Sequence, residues 1–157
     1  MITIGIDPGL SGAIGVLQNG EFIGVFDMPI VAKGSGSVKN EVNPAALIEM
    51  LRANTDATDS IVAALERVNA MPGQGSSSVF SLGDSFGTAR ACLAACRFET
   101  HYVAPVTWKK HFKLDSDKEK CRAFATRLFP AAPLGLKKHA DRAESLLIAR
   151  WLYEKNH

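Results

Sequence analysis

With 157 residues the chain has room for one core and one active site, so a reaction that needs two sites needs two chains. No apolar stretch approaches the ~18 residues of a membrane span, and MITIGIDPGL has no basic leader and puts Asp7 where a signal peptide would be apolar; a cytoplasmic protein is expected. The net charge of +2 is uneven: residues 1–100 hold 6 Lys/Arg against 10 Asp/Glu, and residues 101–157 hold 12 against 6, so the last third either meets a polyanion or forms a solvated helical surface.

Ile2, Ile4 and Ile6 alternate with Thr3 and Gly5, and the apolar runs Ala13 to Leu17 and Phe22 to Phe26 follow. The turn Gln18-Asn19-Gly20-Glu21 between the last two is a hairpin signal, because Asn-Gly tolerates the positive φ of a tight turn. Three short strands in an antiparallel meander are predicted. Residues 33–40, KGSGSVKN, read as a loop, after which Asn43-Pro44 opens a helix running to about Asn54. Ile61 to Val68 reads as a buried strand parallel to the first. The loop PGQGSSS, residues 72–78, leads through Ser caps into a helix from Val79 to Arg97, on which Gly83 and Gly87 would let another backbone approach. His101 to Ala104 is a last strand. Pro105 opens a short helix, Asp115 or Ser116 caps a second, Pro130 to Pro133 breaks the chain, and a third helix runs from about His139 to Lys155. These elements add up to one α/β domain over residues 1–157, a five-stranded mixed sheet of three-strand meander plus two parallel strands, flanked by helices. The three cysteines, Cys92, Cys96 and Cys121, form no CxxC pair and offer no four-ligand zinc set, so buried thiols are expected.

Four acids fall at informative places. Asp7 ends the first strand and Glu66 ends the fourth, where an apolar run stops at a carboxylate. Asp141 and Glu144 lie three apart at the start of the last helix and share a face. Each also has an ordinary explanation: Asp7 can cap the turn before Pro8, Glu66 can pair with Arg67, and the late pair can answer the helix dipole. Oxygen ligands without a His/Cys set suit Mg2+ or Mn2+, and two such ions can activate water and stabilise a leaving oxygen in phosphodiester hydrolysis.

GIDPGLSG, ALERV followed by MPGQGSSSVFSLGDSFG, APVTWKK and HADRAESLLIA together resemble the RuvC family of Holliday junction resolvases, particularly its phage and prophage branch. The resemblance spans nearly the whole chain in the family's order. It implies a ribonuclease H-like fold, a homodimer, and symmetric nicking of two strands of like polarity across a four-way DNA junction. The four-acid set adds the expectation that Mg2+, with Mn2+ as a substitute, activates water for in-line attack that leaves 5′-phosphate and 3′-hydroxyl ends. Carried onto this sequence, the catalytic and metal-binding acids are Asp7, Glu66, Asp141 and Glu144, with His139 as second choice for the third ligand. The loop after Glu66 enters the junction in these resolvases, which makes Met71 a candidate wedge and Gly73, Gln74, Gly75 and Ser76 candidate DNA contacts. Lys109, Lys110 and Lys118 match basic positions along the DNA arms, and Lys137 and Lys138 extend that set. Trp108 beside them reads as core.

Two other classes compete. A strand-ending acid with a Gly-rich turn also opens actin-like phosphotransferases, but those close nucleotide between two domains and only one fits here, so no nucleotide cofactor is expected. A non-cleaving junction-binding module, or a broader debranching nuclease, would carry the same motifs.

Overall fold

A computed structural model describes residues 1–36, 38–56 and 60–157. Its main sheet has five strands, in the spatial order Glu21–Asp27, Ala13–Gln18, Ile2–Asp7, Ile61–Glu66, Glu99–Val103. β1 (Ile2–Asp7), β2 (Ala13–Gln18) and β3 (Glu21–Asp27) form the antiparallel meander, while β6 (Ile61–Glu66) lies parallel to β1, and β7 (Glu99–Val103) parallel to β6. Asn19 and Gly20 take φ of 50° and 82°, the left-handed values that the Asn-Gly turn was predicted to need.

Between β3 and β6 the structure keeps the predicted loop and adds two short strands at its ends. Ile30–Ala32 (β4) and Asn40–Val42 (β5) pair antiparallel and bracket the Gly/Ser-rich segment, of which Ser37 lies outside the described residues. Three-residue strands are too short for a period-two pattern to declare them. α1 (Pro44–Ala53) begins as expected, with the Asn43 side chain accepting the Ala46 amide at 3.2 Å. α2 (Ser76–Ala95) starts three residues before the predicted Val79; its N-cap is Gly75, which makes no side-chain cap, so the expected Ser caps become first-turn residues. α3 (Pro105–His111) follows β7. α4 (Lys118–Leu128) is capped by Asp117 rather than Asp115 or Ser116, because the Asp117 carboxylate accepts the Glu119 amide at 2.9 Å while Asp115 accepts the Asp117 amide. A 3-10 turn, Lys137–His139, leads into α5 (Ala140–Lys155). Among the described residues no helix is long and apolar enough to cross a membrane.

The sheet has a core on each face. Ile2, Ile4 and Ile6 point to the side covered by α1 and α2, where they meet Leu47, Leu51, Ala89 and Leu93. α5 covers the other side with α4 beyond it, so residues 143 to 149 are buried without interruption. Each of Leu146, Leu147, Ile148 and Leu152, fully buried there, contributes about 1.5–3 kcal/mol through removal from water. Gly5 and Gly15 are register partners on β1 and β2 and face α5 at very short range. A Cβ on Gly5 would lie 2.1 Å from the Ser145 carbonyl oxygen, and one on Gly15 would lie 2.7 Å from the Leu146 amide nitrogen. α5 therefore rests on bare backbone. Side chains alternate along β1, so Asp7, two residues beyond Gly5, emerges on the same face as α5.

Gly5→Ala should force helix and sheet apart. Overpacking of this kind costs about 1–3 kcal/mol, and thermal denaturation should show a melting temperature several degrees below wild type; an unchanged melting temperature would mean that α5 can shift freely.

Candidate metal centre

Asp7, Asp141 and Glu144 meet at the carboxyl end of β1, where one carboxylate oxygen from each lies within 4.8 Å of the others. Asp7 arrives as the last residue of β1, and Asp141 and Glu144 arrive from the first turns of α5, held over β1 and β2 by the glycine contact. Glu66 ends the neighbouring parallel strand and stands beside this trio. Its Oε1 accepts a 2.7 Å hydrogen bond from Nε1 of Trp108, which is fully buried. Three of the four predicted acids thus share one cluster, with Glu66 near enough to act on Asp7 electrostatically.

The ordinary explanations account for part of this. Asp7 Oδ1 does accept the Gly9 amide, at 3.4 Å, a long bond for a turn cap. Arg67 does not hold Glu66, since its guanidinium lies over the Tyr102 ring, 5.2 Å from the centroid. His139 does not join the trio: its Nδ1 faces the Leu136 amide at 3.3 Å within the 3-10 turn.

Charge is concentrated here. Burial, reinforced by Glu66, Asp141 and Glu144, pushes the Asp7 carboxyl up to about 7. Burial also raises Glu66, and the Trp108 hydrogen bond only partly offsets this. Two lysines answer the acids. Lys109 Nζ lies 2.8 Å from Glu144 Oε1 and sits against the Trp108 ring, and Lys118 Nζ donates to Asp141 and lies 3.7 Å from Glu144 Oε2. Burial works against the Lys109 charge, but Glu144 overrides it and holds the ammonium above its ordinary value.

The fit to a hard divalent cation rests on the trio itself, three carboxylates with one oxygen of each within 4.8 Å of the others. The Glu144 side chain is buried and its Oε1 has the Lys109 ammonium beside it at 2.8 Å. Carboxylates drawn together out of water call for cations, and an all-oxygen set suits a hard one.

The expected DNA-facing residues are at the surface except Lys109, whose side chain is drawn in against Glu144. Met71 is 64% exposed, and the loop around it closes on itself: Gln74 Oε1 accepts the Met71 amide at 2.8 Å, and Gly73 supplies the left-handed φ of 82°. Gly75 and Ser76 are the N-cap and first residue of α2. Lys110, Lys137 and Lys138 are exposed. Sequence reasoning missed three things: the Trp108–Glu66 bond, the commitment of Lys109 and Lys118 to the acids, and Phe80, which is 70% exposed on α2. Only Phe80 left a trace in the sequence, as an apolar residue one turn into a Ser-rich helix start.

A solved structure of Thermus thermophilus RuvC in complex with a Holliday junction substrate matches this chain with a TM-score of 0.65 at 16% identity, covering 99% of this chain and 95% of that one. The fold is that of RuvC. A second Thermus thermophilus RuvC structure agrees, with a TM-score of 0.58 at 17% identity and coverage of 99% and 96%. The RuvC fold is ribonuclease H-like, as the sequence resemblance implied. No protein-family model and no curated protein matches the sequence.

The raised Asp7 carboxyl has a measurable consequence. Between its ordinary 3.8 and about 7, the folded chain keeps a proton that the unfolded chain has lost, so metal-free stability falls as pH rises through that window. Asp7→Asn is neutral throughout. It should raise the melting temperature in EDTA by several degrees at pH 8 and by less at pH 5, as followed by circular dichroism; an equal effect at both would place the Asp7 charge in water.

Proposed function

We propose that this chain is a metal-dependent, structure-selective endonuclease that resolves four-way DNA junctions by paired phosphodiester hydrolysis, acting as a homodimer. The observation that carries the reading is the convergence of Asp7, Asp141 and Glu144, with Glu66 on the adjacent strand, at one end of a RuvC-like sheet. It is supported by the neighbour of the same fold, whose structure holds a Holliday junction substrate. Mg2+, with Mn2+ as substitute, is the cofactor that an all-oxygen set of this charge suits. When bound, the metal supplies an activated water and stabilises the leaving oxygen, so that cleavage leaves 5′-phosphate and 3′-hydroxyl ends.

The chain's own residues prepare that chemistry. Asp7, Asp141 and Glu144 form the ligand cluster, and Glu66 completes it from the adjacent strand, its carboxylate fixed by Trp108. Met71, Gly73, Gln74, Gly75 and Ser76 leave the sheet directly after Glu66, a position from which the exposed Met71 can enter the junction centre and the backbone can approach phosphates. Lys110, Lys137 and Lys138 supply cations for the arms. One site per chain and the two-fold symmetry of a junction call for two chains related by one axis.

The test compares a labelled synthetic four-way junction with flap, fork and linear duplex substrates of matching sequence, in Mg2+, Ca2+ and EDTA, with wild type and Glu66→Gln. Paired nicks should form on the junction in Mg2+ and vanish with Glu66→Gln. Tight junction binding without cleavage in any metal would instead indicate a non-cleaving module, and equal nicking of flaps and forks would indicate a general debranching nuclease. Analytical ultracentrifugation should find two chains on each junction; a single bound chain would overturn the symmetric mechanism.

A further inference from the structure

The two lysines at the acid cluster are held differently. Lys109 has a side chain only 16% exposed and is clamped between the Trp108 ring and Glu144. Lys118 has a side chain 59% exposed, yet its ammonium reaches inward to Asp141 Oδ1 and Glu144 Oε2, on acids exposed only 17% and 6%. It thus bridges two members of the very trio whose oxygens converge for a cation. Helix energetics do not explain this placement. Lys118 is the first residue of α4, where the dipole is positive and a cation is disfavoured; the acidic Asp117 cap and Glu119 are what that end calls for. A compact ammonium on a flexible four-carbon stem is the one charge here that can leave without disturbing the core.

We propose that Lys118 is an exchangeable internal counter-ion, whose ammonium occupies the cation position shared by Asp141 and Glu144 until a divalent metal displaces it. Lys109 is the permanent counter-charge of Glu144, and Lys118 is the removable one. Metal loading then does two things together: it fills the acid cluster, and it frees a cation beside the site for a DNA phosphate. Lys118 is accordingly a positioning residue that sets metal affinity from inside the site. The inference rests on the metal-site reading above.

The test is Mn2+ binding to the metal-stripped full chain without DNA, by titration calorimetry, for wild type and Lys118→Met, combined with nitrogen-15 NMR of the lysine side-chain ammonium groups. Lys118 is exposed, so the variant should fold like wild type, which its circular dichroism would verify. Lys118→Met should bind Mn2+ about two- to fivefold more tightly, the scale of a partly exposed ion pair that no longer has to be broken. In wild type the Lys118 ammonium should give a protected signal that is lost on titration with Mg2+, the diamagnetic ion, while the Lys109 signal persists. Equal or weaker Mn2+ affinity in the variant overturns the proposal. So does tighter binding with a Lys118 signal that Mg2+ leaves unmoved, because the lysine would then be acting only through distant charge. A wild-type chain that binds no divalent metal at all would overturn the nuclease reading itself, whereas metal binding indifferent to Lys118 removes only the counter-ion.

Discussion

The close seating of α5 on the bare backbone of β1 and β2 is the contact on which the rest depends. Gly5 and Gly15 lie opposite each other in the sheet, and any side chain at either would collide with the helix backbone. Because they are absent as side chains, the helix axis comes near enough for carboxylates in its first two turns to reach the acid at the end of β1. A helix packed at ordinary distance over larger side chains would leave Asp141 and Glu144 too far from Asp7 for one ion to touch all three. The fold thus builds its centre with two missing methyl groups.

Gathering three acids with Glu66 beside them has an electrostatic cost, and the surrounding residues show how it is met. Part is met by protonation, since Asp7 is pushed up to about 7 by burial and its neighbours. Part is met by Trp108, whose indole N–H satisfies a Glu66 oxygen from within the core. The remainder is met by Lys109 and Lys118. Breaking a buried pair by removing one partner leaves an uncompensated charge, which is why the core around such a cluster tolerates change poorly.

The basic last third of the chain divides along the same lines. Of its cations, Lys109 and Lys118 face the acid cluster, Lys120, Arg122 and Arg150 hold acids on their own or neighbouring turns, and Arg142 grips Asp27 at 2.6 and 2.7 Å, tying the start of α5 to the end of β3. A charge balance along the sequence overstates the surface left for a polyanion. Lys110, Lys137 and Lys138 are exposed, and no ion pair involves them among the described residues, so on the proposed reading they are the cations left free for it.

Several features were legible in the sequence because their causes are local. Alternation of Ile2, Ile4 and Ile6 marks β1, Asn19-Gly20 marks the hairpin, Asn43-Pro44 marks the start of α1, and an acid that ends an apolar run marks Asp7 and Glu66. The spacing of Asp141 and Glu144 on one helical face is equally local. The β4–β5 pairing was hidden by strand length, and the start of α2 by a Ser-rich turn whose caps proved to lie inside the helix. What only the tertiary structure decided is which groups meet across the sheet: Trp108 with Glu66 over 42 residues, Lys118 with Asp141 over 23, and α5 with Gly5 and Gly15. Sequence carries periodicity and turn chemistry, which neighbouring residues enforce; partners distant along the chain are chosen by packing, and packing exists only once both faces of the sheet are covered.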